Sequence, residues 1–210
     1  MIALTDAFAT SGVALVLCAG VLRLAYASKT LATMLRYPRS ALAGLLLLIL
    51  LWPALTPISL AAYVRGISSD LSITLVVLSV WSLLESLKVA RPMHQHEFAA
   101  LMFAVAAGAL ILYPAALGWG DWDAYRLGWS SWLLWAALLV VSAVCWFAGL
   151  VVLPSLMSLA MLAWAFNLME SNNLWDYLLD AWLSFYALGF VFIKFWRTGR
   201  QRFNKLDFHN

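Results

Sequence analysis

The sequence predicts an all-α, polytopic bundle of membrane-spanning helices, and three observations predict it. Of its 210 residues, 65% are hydrophobic and 11% are charged, with a mean hydropathy of +0.89. A soluble domain carries roughly 45–50% apolar and about 25% charged residues. The apolar residues also gather into runs of about twenty, the length a helix needs to cross the hydrocarbon of a bilayer. Lys and Arg, finally, concentrate at alternate connectors between those runs. A globule of this size cannot build a polar surface from so few charges, so the expected solvent is lipid. That composition argues against a soluble enzyme, a nucleic-acid binder and a disordered chain. The net charge of +3 and pI near 9.0 read as topology signals, and nucleic acid is not an expected partner.

The first run covers residues 4–24. A polar connector follows, with Pro38 suited to opening the next helix. The second covers residues 41–63 through an unbroken leucine-rich stretch, and the third and fourth cover residues 71–90 and 98–117. From 131 to 171 the chain is nearly uncharged. As one helix that stretch would measure about 60 Å, twice the hydrocarbon thickness, so it must fold back, with the bend expected at 147–154. The last run covers 177–196. The count is about seven spans. Five spans plus a re-entrant hairpin at 147–154 is the alternative, because both return the chain to the same side. Residues 1–196 form a single transmembrane domain on this reading, and 197–210 a short basic cytoplasmic tail.

Charge orients the bundle. Alternating connectors put Arg23, Lys29, Arg36, Arg39, Lys88, Arg91, Lys194, Arg197, Arg200, Arg202 and Lys205 on one side, eleven of the thirteen bases; only Arg65 and Arg126 fall on the other. The positive-inside rule then selects an outer N-terminus and an inner C-terminus. The acids lean outward: Asp6, Asp70, Asp121, Asp123, Glu170, Asp176 and Asp180. Trp119, Trp122, Trp129, Trp132 and Trp175 cluster at the outer ends of runs and Trp196 at the inner end, as amphipathic rings do at an interface. The N-terminus lacks a basic region before its first run, so a cleavable signal peptide is not expected. Cys18 and Cys145 lie in apolar runs with no partner nearby, and read as packing residues.

Four features offer chemistry, each beside a plainer account. His94, His96 and Glu97 follow Glu85, Lys88 and Arg91 in an inner connector. They are weak metal candidates, because a zinc site needs three or four placed ligands and a helix would point His94 and His96 apart. The outer segment 118–130 sets Asp121, Asp123 and Arg126 among tryptophans, a composition that could hold a sugar or a lipid headgroup or be an interfacial loop. In the stretch 170–180, Glu170, Asp176 and Asp180 approach the last run. Asn172 or Asn173 can cap there, and capping explains Asp176 better than Asp180, which needs a partner such as Arg126 if it faces the bundle. Pro53, Pro57 and Pro114 can kink their helices.

No His lies mid-span for a bis-His haem, and neither a Gly-rich phosphate loop nor a Ser-His pairing occurs, so no cofactor is expected. The leading expectation is a non-catalytic scaffold or accessory subunit of an envelope assembly in a bacterial-type inner membrane. It would pack against a membrane-protein partner or a second copy through small residues such as Ala104, Ala107 and Gly108. Two alternatives are an enzyme handling a lipid or lipid-linked glycan at the outer face, with Asp121, Asp123, Arg126, Glu170, Asp176 and Asp180 as its candidate residues, and a small-solute transporter or channel lined by Pro53, Pro57 and Tyr113.

Overall fold

The structure is a computed structural model that describes residues 2–28, 30, 38–52, 58–121, 123–129 and 131–207. Among these residues it is all helical, with no strand. In chain order the helices are α1 (Ile2–Ala27), α2 (Arg39–Leu51), α3 (Leu60–Ser68), α4 (Ile73–Ser86) and α5 (Gln95–Ala116). A short 3₁₀ helix (Ala124–Gly128) follows, then α6 (Trp132–Phe147), α7 (Val152–Ala165), α8 (Leu174–Leu178) and α9 (Ala181–Asp207).

Two helices, over Thr5–Ala27 and Gln95–Ala116, are long and apolar enough to cross a bilayer; α2, α4, α6 and α7 are apolar but shorter. Length and composition thus single out fewer spans than the seven expected, and the reason is local. The run expected over 41–63 is two helices. α2 stops at Leu51, with Trp52 already extended (φ −80, ψ 127) ahead of Pro53, as the residue before a proline must be. α3 restarts behind Ser59, whose hydroxyl accepts from the Ala62 amide at 3.3 Å. Pro53 and Pro57 themselves lie outside the described residues. The last run is likewise divided, with α8 ending at Leu178 and α9 starting at Ala181. α9 then continues to Asp207, so the basic stretch after residue 197 is helix as far as that residue.

The 147–154 bend falls where the sequence puts it. α6 ends in a left-handed Gly149 (φ 74), with the Gly149 amide donating to the Trp146 carbonyl and the Leu150 amide to Cys145. This glycine-terminated closure needs a residue that tolerates positive φ. Gly118 closes α5 in the same way, with bonds to Ala115 and from Trp119 to Pro114. Lys88 and Asn167 close α4 and α7 with the same pair of bonds and φ of 61 and 50.

By its contacts the chain divides into two compact units: Met1–Met93 with Ser155–Leu178, and His94–Pro154 with Leu179–Asn210. In the first, α1 packs against α2, α3 and α4, α2 packs on α3, and α4 on α8. Its core is built around Val13, Ala14, Cys18, Ala19, Leu22, Ala43 and Ala61. Cys18 is buried and its thiol points to the Ala43 carbonyl at 3.7 Å, a packing residue as its context suggests. In the second unit α5 packs on α9 and on the 3₁₀ helix, which also touches α6. Here Ala106, Ala109, Ser184 and Ala187 are buried, while Leu110, Ile111, Phe185 and Phe192 are exposed. Leu101, Met102 and Leu183 are buried beside these small side chains, so the contact mixes small and large residues while other large apolar ones face outward.

Gly12 shows how tight these contacts are. A Cβ there would sit 3.1 Å from Val76 Cγ2 of α4, whereas at Gly20, two turns on, it would meet nothing within 4 Å. Gly12→Leu is therefore expected to lower stability by about 1–3 kcal/mol through overpacking. Gly20→Leu should leave it within about 0.5 kcal/mol. Thermal unfolding of both variants in detergent checks the contrast, and equal melting temperatures would contradict the close α1–α4 approach.

Candidate functional site

The densest charge cluster forms around Arg65, one of the two bases that break the charge alternation. Arg65 stands on the last turn of α3. Its Nε reaches Asp70 Oδ1 at 2.6 Å, one terminal nitrogen reaches Asp6 Oδ1 at 2.6 Å, and the other reaches Glu170 Oε1 at 2.7 Å. Asp6 comes from the start of α1, Asp70 from the α3–α4 connector, and Glu170 from the α7–α8 connector. The guanidinium thus ties three partners at sequence separations of 5, 59 and 105 residues. Arg65 and Asp70 are 16% and 14% exposed while Asp6 and Glu170 are 48% and 59% exposed, so the Asp70 pair is the sheltered one. Hydrogen bonding to Asp70, then to Asp6 and Glu170, raises the Arg65 pKa above its already high ordinary value, against the lowering effect of burial. Arg65 stays charged wherever the fold survives.

The turn that delivers Asp70 is strained. Ser69 has φ 64 and ψ −172, a region that is essentially glycine territory. Its amide donates to the Arg65 carbonyl at 2.8 Å, so the backbone and the Asp70 side chain close on the same residue.

A second polar tie holds the opposite ends of the same helices. Arg39, at the start of α2, donates to the Ser86 carbonyl at the end of α4 at 2.9 Å. Its guanidinium also lies 4.3 Å from the centre of the Tyr26 ring at the end of α1. Asp6 and Tyr26 stand twenty positions apart on α1, or about 30 Å.

Comparison with protein-family models, with curated proteins and with solved structures finds no match. What the residues do must therefore come from their geometry.

Of the outer-face candidates, Glu170 joins Arg65. Asp176 accepts a hydrogen bond from the Ser171 hydroxyl, and Asn173 caps α8 by accepting from the Trp175 amide at 3.0 Å. Asp180 is the N-cap of α9: its Oδ1 accepts from the Leu183 amide at 2.8 Å. This corrects the expectation that capping suits Asp176 better than Asp180. The bond to the Leu183 amide gives the buried Asp180 carboxylate a role at the helix start without calling on Arg126. Asp123 Oδ1 accepts from the Tyr125 amide at 3.0 Å and starts the 3₁₀ helix, while Asp121 and Arg126 are exposed. Glu170 and Asp176 belong to the first unit, and Asp121, Asp123, Arg126 and Asp180 to the second.

The inner candidates also separate. His94 and His96 stack with ring centres 5.7 Å apart, because His94 precedes the helix as its N-cap residue and escapes the divergence that an i, i+2 helical pair would show. Glu97 is turned away to a structural task. It is buried, and its two carboxylate oxygens accept from the Val151 and Val152 amides at 2.9 and 3.1 Å, at the start of α7. Among the described residues no three His, Cys, Asp or Glu gather as metal ligands.

Two outcomes follow for the Arg65 cluster. Arg65→Ala should cost about 2–3 kcal/mol, below the ~3–5 kcal/mol of a fully buried pair because two of the carboxylates meet water. Arg65→Lys should recover little of that, since one ammonium cannot address three separate carboxylates in the guanidinium plane. Denaturation of the three proteins in detergent decides it, and a fully stable Arg65→Lys would contradict the fork. Ser69→Gly, by relieving the positive φ, should raise stability by about 1 kcal/mol while Ser69→Ala does not. A lower melting temperature for Ser69→Gly than for Ser69→Ala would count against strain at that turn.

Proposed function

We propose that this chain is a multi-pass inner-membrane protein, with outer N-terminus and inner C-terminus, that acts as a non-catalytic scaffold or accessory subunit of an envelope assembly. The observation that carries the membrane arrangement is the convergence on Arg65. The alternating charge pattern assigns the N-terminus, the 64–70 connector and the 166–174 connector to one side of the membrane. Those three segments supply Asp6, Asp70 and Glu170 to a single guanidinium. The Tyr26–Arg39–Ser86 tie gathers the three ends assigned to the other side. The two ties are separated along α1 by about the thickness of the hydrocarbon layer.

The same logic favours a full crossing at 147–154 over a re-entrant hairpin. Glu97 stands in the first turn of α5, a 22-residue helix, and the carboxylate reaches the bend between α6 and α7. The far end of α5 meets the 3₁₀ helix that leads into α6. A hairpin turning back at mid-membrane would not reach Glu97. With α2–α3 and α8–α9 counted as interrupted crossings, the reading has seven spans, in a bacterial-type plasma membrane.

The scaffold role is supported by what the polar groups are committed to. Asp6, Asp70 and Glu170 hold Arg65, Asp123 and Asp180 cap helices, Asp176 engages Ser171, and Glu97 caps α7. α6 meanwhile buries Leu134, Leu138 and Cys145 along one stripe and exposes Leu133, Leu139, Val140, Val144, Trp146 and Phe147. Such a helix can seat a partner within the bilayer.

Reporter fusions at Asn210 and after Trp122 are expected to read inside and outside, respectively, and the reverse at either site would sink the topology. Purification in gentle detergent should retain a membrane partner or a second copy. A strictly monomeric, partner-free particle would count against the scaffold.

A further inference from the structure

We infer that the C-terminal end of α9 is a binding site for the phosphate headgroups of anionic phospholipids, an assignment that rests on the membrane reading above. α9 has 27 residues and measures about 40 Å, longer than the ~30 Å hydrocarbon layer by some two turns. Its last part, from residue 192 to 207, carries Lys194, Arg197, Arg200, Arg202 and Lys205 against one acid, Asp207. At ~100° per residue Lys194, Arg197 and Arg200 fall within an arc of ~120°, and Phe192, Phe195 and Trp196 fall on the remaining side within ~100°. This is the pattern of a helix at the boundary between acyl chains and headgroups, with aromatic rings on one face and bases on the other.

The side chains described there agree with that placement. Phe192, Phe195 and Trp196 are each about two-thirds exposed, and the Phe192 and Trp196 rings stack with centres 6.2 Å apart. Lys194 Nζ lies 5.0 Å from the Phe103 ring centre and 5.8 Å from that of Phe190, held against the α5–α9 pair. Arg197 and Arg200 follow at three-residue intervals, both exposed. Lys194, Arg197 and Arg200 form a spiral of cations rising from an aromatic girdle. A zwitterionic headgroup offers them a phosphate beside its own cation, whereas an anionic headgroup offers a phosphate with net charge. Charge complementarity therefore selects anionic lipid. Attachment to an apolar helix keeps the cations at headgroup depth, which favours lipid over nucleic acid.

The test uses the full chain in neutral maltoside micelles, with melting temperature followed as phosphatidylglycerol or phosphatidylcholine is titrated in. Phosphatidylglycerol should stabilise the wild type and phosphatidylcholine should not. Each cation near an anionic surface is worth about fivefold in affinity, so Arg197→Gln with Arg200→Gln should shift half-saturation by about twenty-fivefold. Arg23→Gln, an inner-side cation on α1, should behave as wild type. An unshifted phosphatidylglycerol response in the double variant would overturn the site. So would an equal loss in Arg23→Gln, which would mean diffuse attraction, or displacement of phosphatidylglycerol by an oligonucleotide at equal phosphate. Alkaline carbonate washing of membranes separates the two readings. A wild-type chain that stays in the membrane yet shows no difference between variants loses only the lipid site, and a chain released by the wash loses the membrane reading too.

Discussion

One guanidinium holds the first unit of this protein together. Without the bonds of Arg65, the start of α1, the α3–α4 turn and the α7–α8 connector would each end in a carboxylate with nothing to neutralise it. Three acids on one base leave a formal excess of negative charge, so the arrangement is stable only where water reaches part of it. The exposures fit that condition, with Asp6 and Glu170 half open and Asp70 sheltered. Placement explains the choice of base as well. Three acceptors arriving from three directions match the Nε and two terminal nitrogens of a planar guanidinium, and a lysine would have to choose among them. The strained Ser69 is the local consequence, since Asp70 has to turn back onto a residue only five positions earlier.

A second constraint, the need to satisfy the backbone groups that a helix end leaves open, governs how the other helices begin and end. The closures at Lys88, Gly118, Asn167 and Gly149 return two amides each to carbonyls of the last helical turn. The starts take side chains: Ser59 on α3, Ser72 on α4, Ser131 on α6, Glu97 on α7, Asn173 on α8 and Asp180 on α9. Few of these positions keep a polar side chain for chemistry. Glu97 is the clearest example, because a carboxylate beside two histidines in sequence is used 54 and 55 residues away in the chain.

The legible parts of the sequence were those set by local chemistry. Helix content follows from the apolar runs, the bend at 147–154 from an uncharged stretch too long for one crossing, and the α8 cap from Asn173. The break at Trp52 was harder to see, because a leucine-rich run conceals that Pro53 denies the preceding residue a helical conformation. Lys88 gave no warning, since a positive φ there carries no residue-type signature. The Arg65 cluster was hidden for a different reason. Its partners lie up to 105 residues away, and only their common side was readable, among the seven acids and two bases that the charge alternation left together. Arg65 and Arg126, the two cations among those acids, were the available signal.

The charges therefore fall into two kinds, and position along the helix axis separates them. Where a charge stands beside a helix contact, as at Arg65, Arg39 or Glu97, it is bonded to a residue distant in sequence and fixes how segments meet. Where it stands near the far end of α9, as at Arg197 and Arg200, it is exposed alongside aromatic rings. The first kind is costly to leave unpaired in a low-dielectric contact and so must be matched within the chain. The second meets no such demand from the fold. A chain with only 11% charged residues still places five of its thirteen bases on the end of one helix, Arg197 and Arg200 exposed among them. Under the lipid-site proposal, that concentration of cations faces the phosphates of anionic headgroups.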